Sequence, residues 1–562
     1  TIPEELLLRL SADGGNRPLQ RLASKLLLST IKDASKIDSF TRHSDDAVRG
    51  GAIAGLLLNS DSQIRNRGED VLQQLIGTAR QEDSKLALWI IGETRQDARH
   101  GDVGSLLGSD SNIIVQDAIQ TAGKLGHPAL LPALIALAKK PAHRAAAILA
   151  LANFDADDIS KLAEGNHTVL RALCKIGGQP GSAVSTEFLL TQMHSQDVHL
   201  RREAIHALMK RGFKAPKDKK VADLIAELQR HLQTGLKQYG LLLASEKGMQ
   251  LANAIQVELR SLADLLLMSF TFIHDTRTVL RVRHGLQFEN RELRADALEI
   301  LDHLLPRAQA ARVLPLLEVI FLGRSDNTDG KTSTETMLQS CIQVMEKASS
   351  VHDAWTLSLA TDHYLQYGGA PSKELVQNAM AASTPFLAKY SHWLSRQFPS
   401  ILNSDHMNAT TGEGNGFSPL EIVLMLKASA LFSETPENTL AEVAAIVIVE
   451  QVPEGDVLFQ KGDTGDCMYL IAEGEIRIGD GATIFATLGK NDFFGELALV
   501  ETEPRSADAV AATDCLLLRI DQDDFYELIE DRTEVARGIL VILAQRLRRQ
   551  NEIIRQLRQE TR

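Results

Sequence analysis

The sequence predicts a mainly α-helical protein: an α-solenoid of stacked helical hairpins, then a small β-roll (jelly roll), then a long C-terminal helix. Three observations carry that expectation. A Ser/Asp-rich turn followed by an alanine-centred helix recurs through the first two thirds, glycines separate short apolar runs after Glu450, and a helical stripe resumes from Glu534. At 562 residues the chain exceeds what one hydrophobic core accommodates, so it needs several domains or a repeat array. Aromatic residues make only 5% while Leu and Ala are abundant, a balance that favours helices packed on helices.

The repeat is read from "SDDAVRGGAIAGLLL" at Ser44, "DSKLALWIIGET" at Asp83, "SDSNIIVQDAIQTAGKLG" at Ser109, "AHRAAAILALANF" at Ala142, "HTVLRALCKIGG" at His167 and "SQDVHLRREAIHALMKRG" at Ser195. Between Ala52, Ala87, Ala118, Ala146, Ala172 and Ala204 the steps are 35, 31, 28, 26 and 32 residues, the length of one helical hairpin. Each hairpin has an apolar face too small to bury alone and an alanine where helices approach, and stacking solves both. The Ser/Asp residues are expected to cap the helices, and Gly123, Gly126 and Gly177 to suit their exits. The pattern resembles degenerate HEAT-type repeats; an ordinary alanine-rich bundle is the other reading. The expected organisation is repeats over 1–215, a further α-helical region over 216–403, a linker and lead-in helix over 404–428, and the roll with its closing helix over 429–562. Two polar segments, 323–335 and 404–418, read as loops.

Eight glycines between Gly455 and Gly495 separate "DVLFQ", "CMYLIA", "EIRI" and "TIFATL", the grammar of short strands joined by tight turns. Within that roll, "FFGELALVETEPRSADAVA" (493–511) assembles an anion site. Gly495 lets the backbone approach a ligand, "ELAL" forms one helical turn with free amides, Arg505 closes over the anion with its planar fork, and Ser506 adds a hydroxyl. Glu496 repels phosphate, so its carboxylate suits a sugar hydroxyl. A phosphate joined to a ribose fits the set. The competing reading is that Arg505 only pairs with Glu501, Glu503, Asp508 or Asp514 at the surface, a contact contributing up to ~1 kcal/mol. The fixed Gly, Glu, Arg, Ser spacing favours the binding site.

The same run, with "VPEGDVLFQKGDTGDCMYLIAEGEIRI" and "LFSETPENTLAEVA" before it, resembles the cyclic nucleotide-binding domain family over about residues 429–550. That resemblance implies that Arg505 pairs with the cyclic phosphate, helped by Ser506 and by main-chain amides near Ala498 and Ser506. It places Glu496 on the ribose 2′-hydroxyl, Gly495 and Leu497 at the sugar, Ile478 and Phe485 along the base pocket, and the C-terminal helix over the base as a lid. Serine after the arginine leans towards cyclic AMP over cyclic GMP.

Leu540, Leu543, Leu547, Gln550, Ile554 and Leu557 run at steps of three and four, a coiled-coil seam similar to the dimerising helix of bacterial cyclic-AMP receptor proteins. It implies a homodimer; packing back on the roll is the alternative. Arg546, Arg548, Arg549, Arg555 and Arg558 form a solvated basic face, open to an acidic partner or an anionic membrane surface. Residues 265–306 resemble the cytosolic part of bacterial proteins in which an ADP/ATP translocase-like membrane domain precedes HEAT repeats and a cyclic nucleotide-binding domain. The implied location is the cytoplasm, at the face of the inner membrane. The chain begins at Thr1 rather than methionine, and the expectation is a transporter domain preceding it in the native chain. A receptor-type transcription factor is disfavoured, because only twelve residues follow Gln550.

Other chemistries find little support. A net charge of −13 argues against nucleic acid held by phosphate neutralisation. Four cysteines without a CxxC signal neither zinc nor disulfides, and a reducing compartment fits them. The 16 histidines are scattered, and HExxH, GxSxG and GxxxxGK(S/T) do not occur, so no enzyme, metal or cofactor is expected. Nor does a run of 18 apolar residues or a signal peptide occur. The expected function is cyclic nucleotide sensing coupled to a HEAT-like scaffold; the alternative is a protein-interaction scaffold whose roll binds no ligand.

Overall fold

The structure, a computed structural model, describes residues 4–12, 16–31, 36–78, 80–140, 142–155, 158–159, 167–195, 197–243, 248–323, 334–346, 352–368, 372–380, 384–398, 417–481, 483–499, 504–531 and the single positions 535, 536, 540, 544 and 548. Contacts divide the chain into two compact units, Thr1–Ala215 and Pro216–Arg562.

The first unit contains α1 (Glu4–Ala12), α2 (Arg17–Thr30), α3 (Ile37–Thr41), α4 (Asp46–Leu57), α5 (Ser62–Ile76), α6 (Gln81–Thr94), α7 (His100–Leu107), α8 (Asn112–Leu125), α9 (Leu131–Ala138), α10 (Arg144–Leu151), α11 (His167–Gly177), α12 (Thr186–Gln192) and α13 (Val198–Lys210). Helices α2, α4, α6, α8, α10, α11 and α13 each lie against the next, and α1, α3, α5, α7, α9 and α12 pack onto that row. Small residues permit the close approach: Ala52, Ala87, Ala118 and Ala204 are fully buried. At two repeats the expected alanine is shifted. Ala147, not Ala146, is buried in α10, and Ala172 is half-exposed in α11.

Capping follows the sequence at some of these helices and not at others; Ser111, at the start of α8, makes no side-chain cap. The carboxylates of Asp45, Asp61 and Asp197 each accept a first-turn amide at 2.8 Å, and Ser185 Oγ accepts the Phe188 amide at 3.0 Å. Asp83 is an exception: it lies inside the first turn of α6, buried, paired with Arg49 at 3.0 Å. Gly126 closes α8 at φ +65°, as expected of an exit residue. Gly123 does something else. It lies inside α8, where a Cβ would stand 2.9 Å from Ala150 Cα, so it sets the distance to α10 rather than the end of the helix.

The second unit begins with α14 (Lys219–Leu243), α15 (Met249–Phe270), α16 (Thr276–Gln287), α17 (Arg291–Leu304), α18 (Arg307–Leu322), α19 (Thr334–Glu346), α20 (Ala354–Tyr367), α21 (Lys373–Met380) and α22 (Pro385–Gln397). Two lead-in helices follow, α23 (Pro419–Ala428), started by a Ser418/Glu421 capping box, and α24 (Glu437–Ile446). Most of the expected loops, residues 324–333 and 404–416, lie outside the described residues. Lys389 of α22 holds the end of α24, donating to Ala444 O at 2.9 Å and Val447 O at 2.5 Å, and burial pulls its pKa down to about 8.

A polar cluster ties α15 to the start of α20. Glu258 accepts the Asp353 amide at 2.7 Å and faces His352 Nδ1 at 2.8 Å, while Asp353 caps α20 through the Thr356 amide at 2.8 Å. Burial, then the charge of Glu258, pushes the Asp353 carboxyl up to about 7. The folded chain therefore binds this proton more tightly than the unfolded one. The stabilising contribution is complete below about pH 4 and is lost as pH rises towards 7. Asp353→Asn, which keeps the cap, is expected to flatten that part of the stability profile; urea melts at about pH 5 and about pH 8 check it, wild type losing more than the variant across the interval.

The roll consists of β1 (Ile448–Val452), β2 (Val457–Phe459), β3 (Cys467–Glu473), β4 (Ile476–Asp480), β5 (Thr483–Leu488), β6 (Phe493–Phe494), β7 (Asp508–Ala511) and β8 (Cys515–Asp521), followed by α25 (Gln522–Asp531). Two four-stranded antiparallel sheets, ordered β1-β8-β3-β6 and β2-β7-β4-β5, enclose a core that includes Tyr469, Ile471, Ile476, Phe494, Ala509 and Leu517. Their short lengths follow from the glycine turns: Gly455, Gly462, Gly474 and Gly481 all have positive φ. Beyond α25 the described positions Val535, Leu540 and Arg548 are helical, with Leu540 66% exposed. The remaining seam positions Leu543, Leu547, Gln550, Ile554 and Leu557, and Arg546, Arg549, Arg555 and Arg558, lie outside the described residues. Among the described residues no helix is long and apolar enough to cross a membrane.

Candidate functional site: a buried arginine in the roll

The site is built where β6 ends. Gly495 follows Phe494 at φ +75°, a backbone state that side chains with a Cβ resist, and Glu496–Leu499 then form a single 3-10 turn. Ala498 N donates to Gly495 O at 3.1 Å. The Ala498 amide is thus used inside the turn, and the neighbouring amides of Glu496 and Leu497, the first of the turn, precede the ladder.

Arg505 enters from the strand side. Its amide donates to Asp463 O at 2.8 Å and its carbonyl accepts the Gly462 amide at 2.9 Å, so both ends of its peptide are held by the loop after β2. The side chain is buried, 8% exposed. Its Nη2 donates to Cys467 O at 2.9 Å and contacts Cys467 Sγ at 3.4 Å, and its Nη1 reaches Gly495 O at 3.4 Å. Nε is buried without a hydrogen-bond partner among the described residues. A buried unpaired donor of this kind costs free energy unless something fills the place. The Cys467 thiol beside it is pushed up by burial, against a smaller opposing pull from Arg505. Glycines make the room: a Cβ on Gly495 would stand 2.7 Å from Arg505 Nη1, and one on Gly465 would stand 3.1 Å from Cζ.

The acidic neighbours have other work. Asp508 accepts the Lys461 and Gly481 amides at 2.7 and 2.9 Å, which holds its carboxyl below the usual range, and Asp514 accepts the Glu454 amide at 2.9 Å. They clamp turns of the roll. Glu501 and Glu503 lie outside the described residues, and among the described residues no carboxylate pairs with Arg505.

The other expected site residues sit around this centre at differing exposure. Glu496 is half-buried and Ser506 exposed, on either side of Gly495 and Arg505 in the chain, and Leu497 is 58% exposed. Ile478 is half-buried against the core of the roll, paired with Ala509. Phe485 is the extra residue of a bulge between β4 and β5 and is 60% exposed, so on this edge strand it stands off the core. Three residues were not anticipated: Phe459, whose ring lies 4.1 Å below the Arg505 guanidinium; Gly465; and Gln522, the first residue of α25, which is bonded through Nε2 to Ala498 O. Gly465, within "KGDTGD", carried a visible signal; Phe459 and Gln522 carried none, because strand pairing alone brings them here. Among the described residues no group of three or more His, Cys, Asp or Glu residues is placed to hold a metal.

An eight-stranded antiparallel roll with a glycine turn and a buried arginine at its strand end defines a class of ligand-binding domain. Residues 449–532 match the family "Cyclic nucleotide-binding domain", and the C-terminal roll is a domain of that family. Over 132 residues, 23% of this chain and 59% of the relative, the sequence is 30% identical to the CRP-like cAMP-activated global transcriptional regulator of Mycobacterium tuberculosis. It is 38% identical over 101 residues, 17% of this chain and 47% of the relative, to the cyclic AMP receptor protein of Thermus thermophilus. A crystal structure of Thermus thermophilus catabolite activator protein aligns with 23% of this chain and 63% of its own at 30% identity, with a TM-score of 0.22. The chain thus spans about half the length of these curated relatives.

Proposed function

We propose that this chain is a regulatory protein that senses a cyclic nucleotide, cyclic AMP in preference to cyclic GMP, through its C-terminal roll. One observation carries the reading: Arg505 is buried with an unpaired Nε beside the Gly495 turn, a guanidinium prepared for an anion and paired with no carboxylate among the described residues. Glu496, Leu497 and Ser506 then serve the ribose and phosphate, and Ile478 and Phe485 the base. The similarity to receptors described as cAMP-activated supports cyclic AMP as the ligand.

Ligand on Arg505 acts on the Glu496–Leu499 turn, and Gln522 connects that turn to α25, which packs on α24. A ligand shifts this arrangement only by its differential affinity for two positions of the turn and helix. We further propose that residues 1–215 are HEAT-like stacked repeats through which another protein reads the change; the side-by-side row from α2 to α13 supports this. A homodimer through the C-terminal helix, a transporter domain in the same native chain and a place at the cytoplasmic face of the inner membrane belong to the same proposal, and no enzymatic role does. Isothermal titration of the full chain with cyclic AMP and with cyclic GMP tests it. Saturable binding with cyclic AMP the tighter ligand is expected; absence of saturable binding to either favours the scaffold alternative.

A further inference from the structure

Arg505 has to present its free edge to a ligand, and its long side chain alone does not determine the plane of the guanidinium. Hydrogen bonds hold one side only, through Cys467 O at 2.9 Å, the Nη1 contact to Gly495 O being long at 3.4 Å. The face is held differently. Cζ of Arg505 lies 4.1 Å from the centroid of the Phe459 ring, and Phe459 leans on Phe494 at 6.0 Å, which stacks on Tyr469 at 5.2 Å. The ring is aimed by β2 itself, where the pairing with β7 slips between Val457 and Phe459. Near Gly465 and Gly495 the guanidinium meets backbone and hydrogen in place of side chains. The guanidinium thus has an aromatic ring against one face, and side-chain-free backbone close to its Cζ and Nη1 atoms.

We infer that Phe459 is a positioning residue for ligand binding: its ring sets the plane of the Arg505 guanidinium and directs the unpaired Nε edge towards the phosphate. The inference rests on the reading of the roll as a cyclic nucleotide site. Leucine at this position keeps apolar bulk against Phe494 but has no π face for the cation, whereas tyrosine keeps the face, and its hydroxyl has space because Phe459 is only partly buried.

The test is titration of the full chain and of its F459L and F459Y variants with cyclic AMP, alongside thermal melts. Phe459→Leu is expected to weaken binding roughly tenfold with little change in melting, and Phe459→Tyr to stay within about twofold of wild type. The inference is overturned if Phe459→Leu binds like wild type, or if Phe459→Tyr loses as much as Phe459→Leu, because a purely steric role would not spare tyrosine. If the wild type binds neither cyclic AMP nor cyclic GMP, the reading of the site falls and the inference with it, a result distinct from the other two.

Discussion

Arg505→Ala is expected to lower the affinity for cyclic AMP by roughly two to three orders of magnitude, with the roll still folded. The size follows from where the charge sits. Arg505 is 8% exposed, so a phosphate that reaches it is desolvated too, and removing the cation leaves that anion without its partner. An exposed ion pair would cost at most about a third of this in free energy. Alanine also strands the carbonyl of Cys467, which accepts from Nη2 at 2.9 Å, so a loss of melting temperature accompanies the loss of binding. Arg505→Lys separates the two effects: it keeps a cation but not the planar fork, and an intermediate affinity is expected. Titration of the three proteins, each checked by circular dichroism, reads the outcome; an Arg505→Ala variant that is folded and binds within threefold of wild type (roughly 0.7 kcal/mol) would sink the site.

Gly495→Ala is expected to weaken cyclic AMP binding about tenfold or more while costing the fold only roughly 1–2 kcal/mol. Two separate facts produce the split. The residue has φ +75°, which an L side chain tolerates poorly, and that strain is the stability term. The new methyl group would also stand 2.7 Å from Arg505 Nη1, so the guanidinium has to shift, and its bonds to Gly495 O and to a ligand change with it. The backbone carbonyl of Cys467, 3.3 Å from the same methyl position, closes the other direction of relaxation. A comparison of binding constants with thermal melts checks the split. Equal affinity with a lowered melting point would mean that the turn does not position the arginine.

What the chain encodes locally was legible in its sequence. The glycine turns and short apolar runs determine the strands of the roll, since positive φ and strand length are decided within a few residues. Asp45, Asp61 and Asp197 announce the helices they cap for the same reason, a side chain reaching an amide two residues on. The ten-residue interval from Gly495 to Arg505 marked the candidate site, because a turn and an arginine that meet across it contact each other directly. Asp83 and Gly123 were misread where local type met a nonlocal partner, Arg49 in one case and Ala150 in the other.

The tertiary structure alone decided the rest. Phe459 comes under the guanidinium and Cys467 O meets Nη2 from 38 residues upstream, because sheet pairing places those strands there. Asp508 and Asp514, which in sequence looked like partners for Arg505, turn to amides 47 and 60 residues away. Asp353 acquires its raised pKa from burial in the folded chain and then from the charge of Glu258, whose carboxylate accepts its amide across 95 residues. Dihedral preference and capping are properties of a few neighbouring residues, so sequence determines them; which charge meets which partner depends on the register and packing of the whole fold.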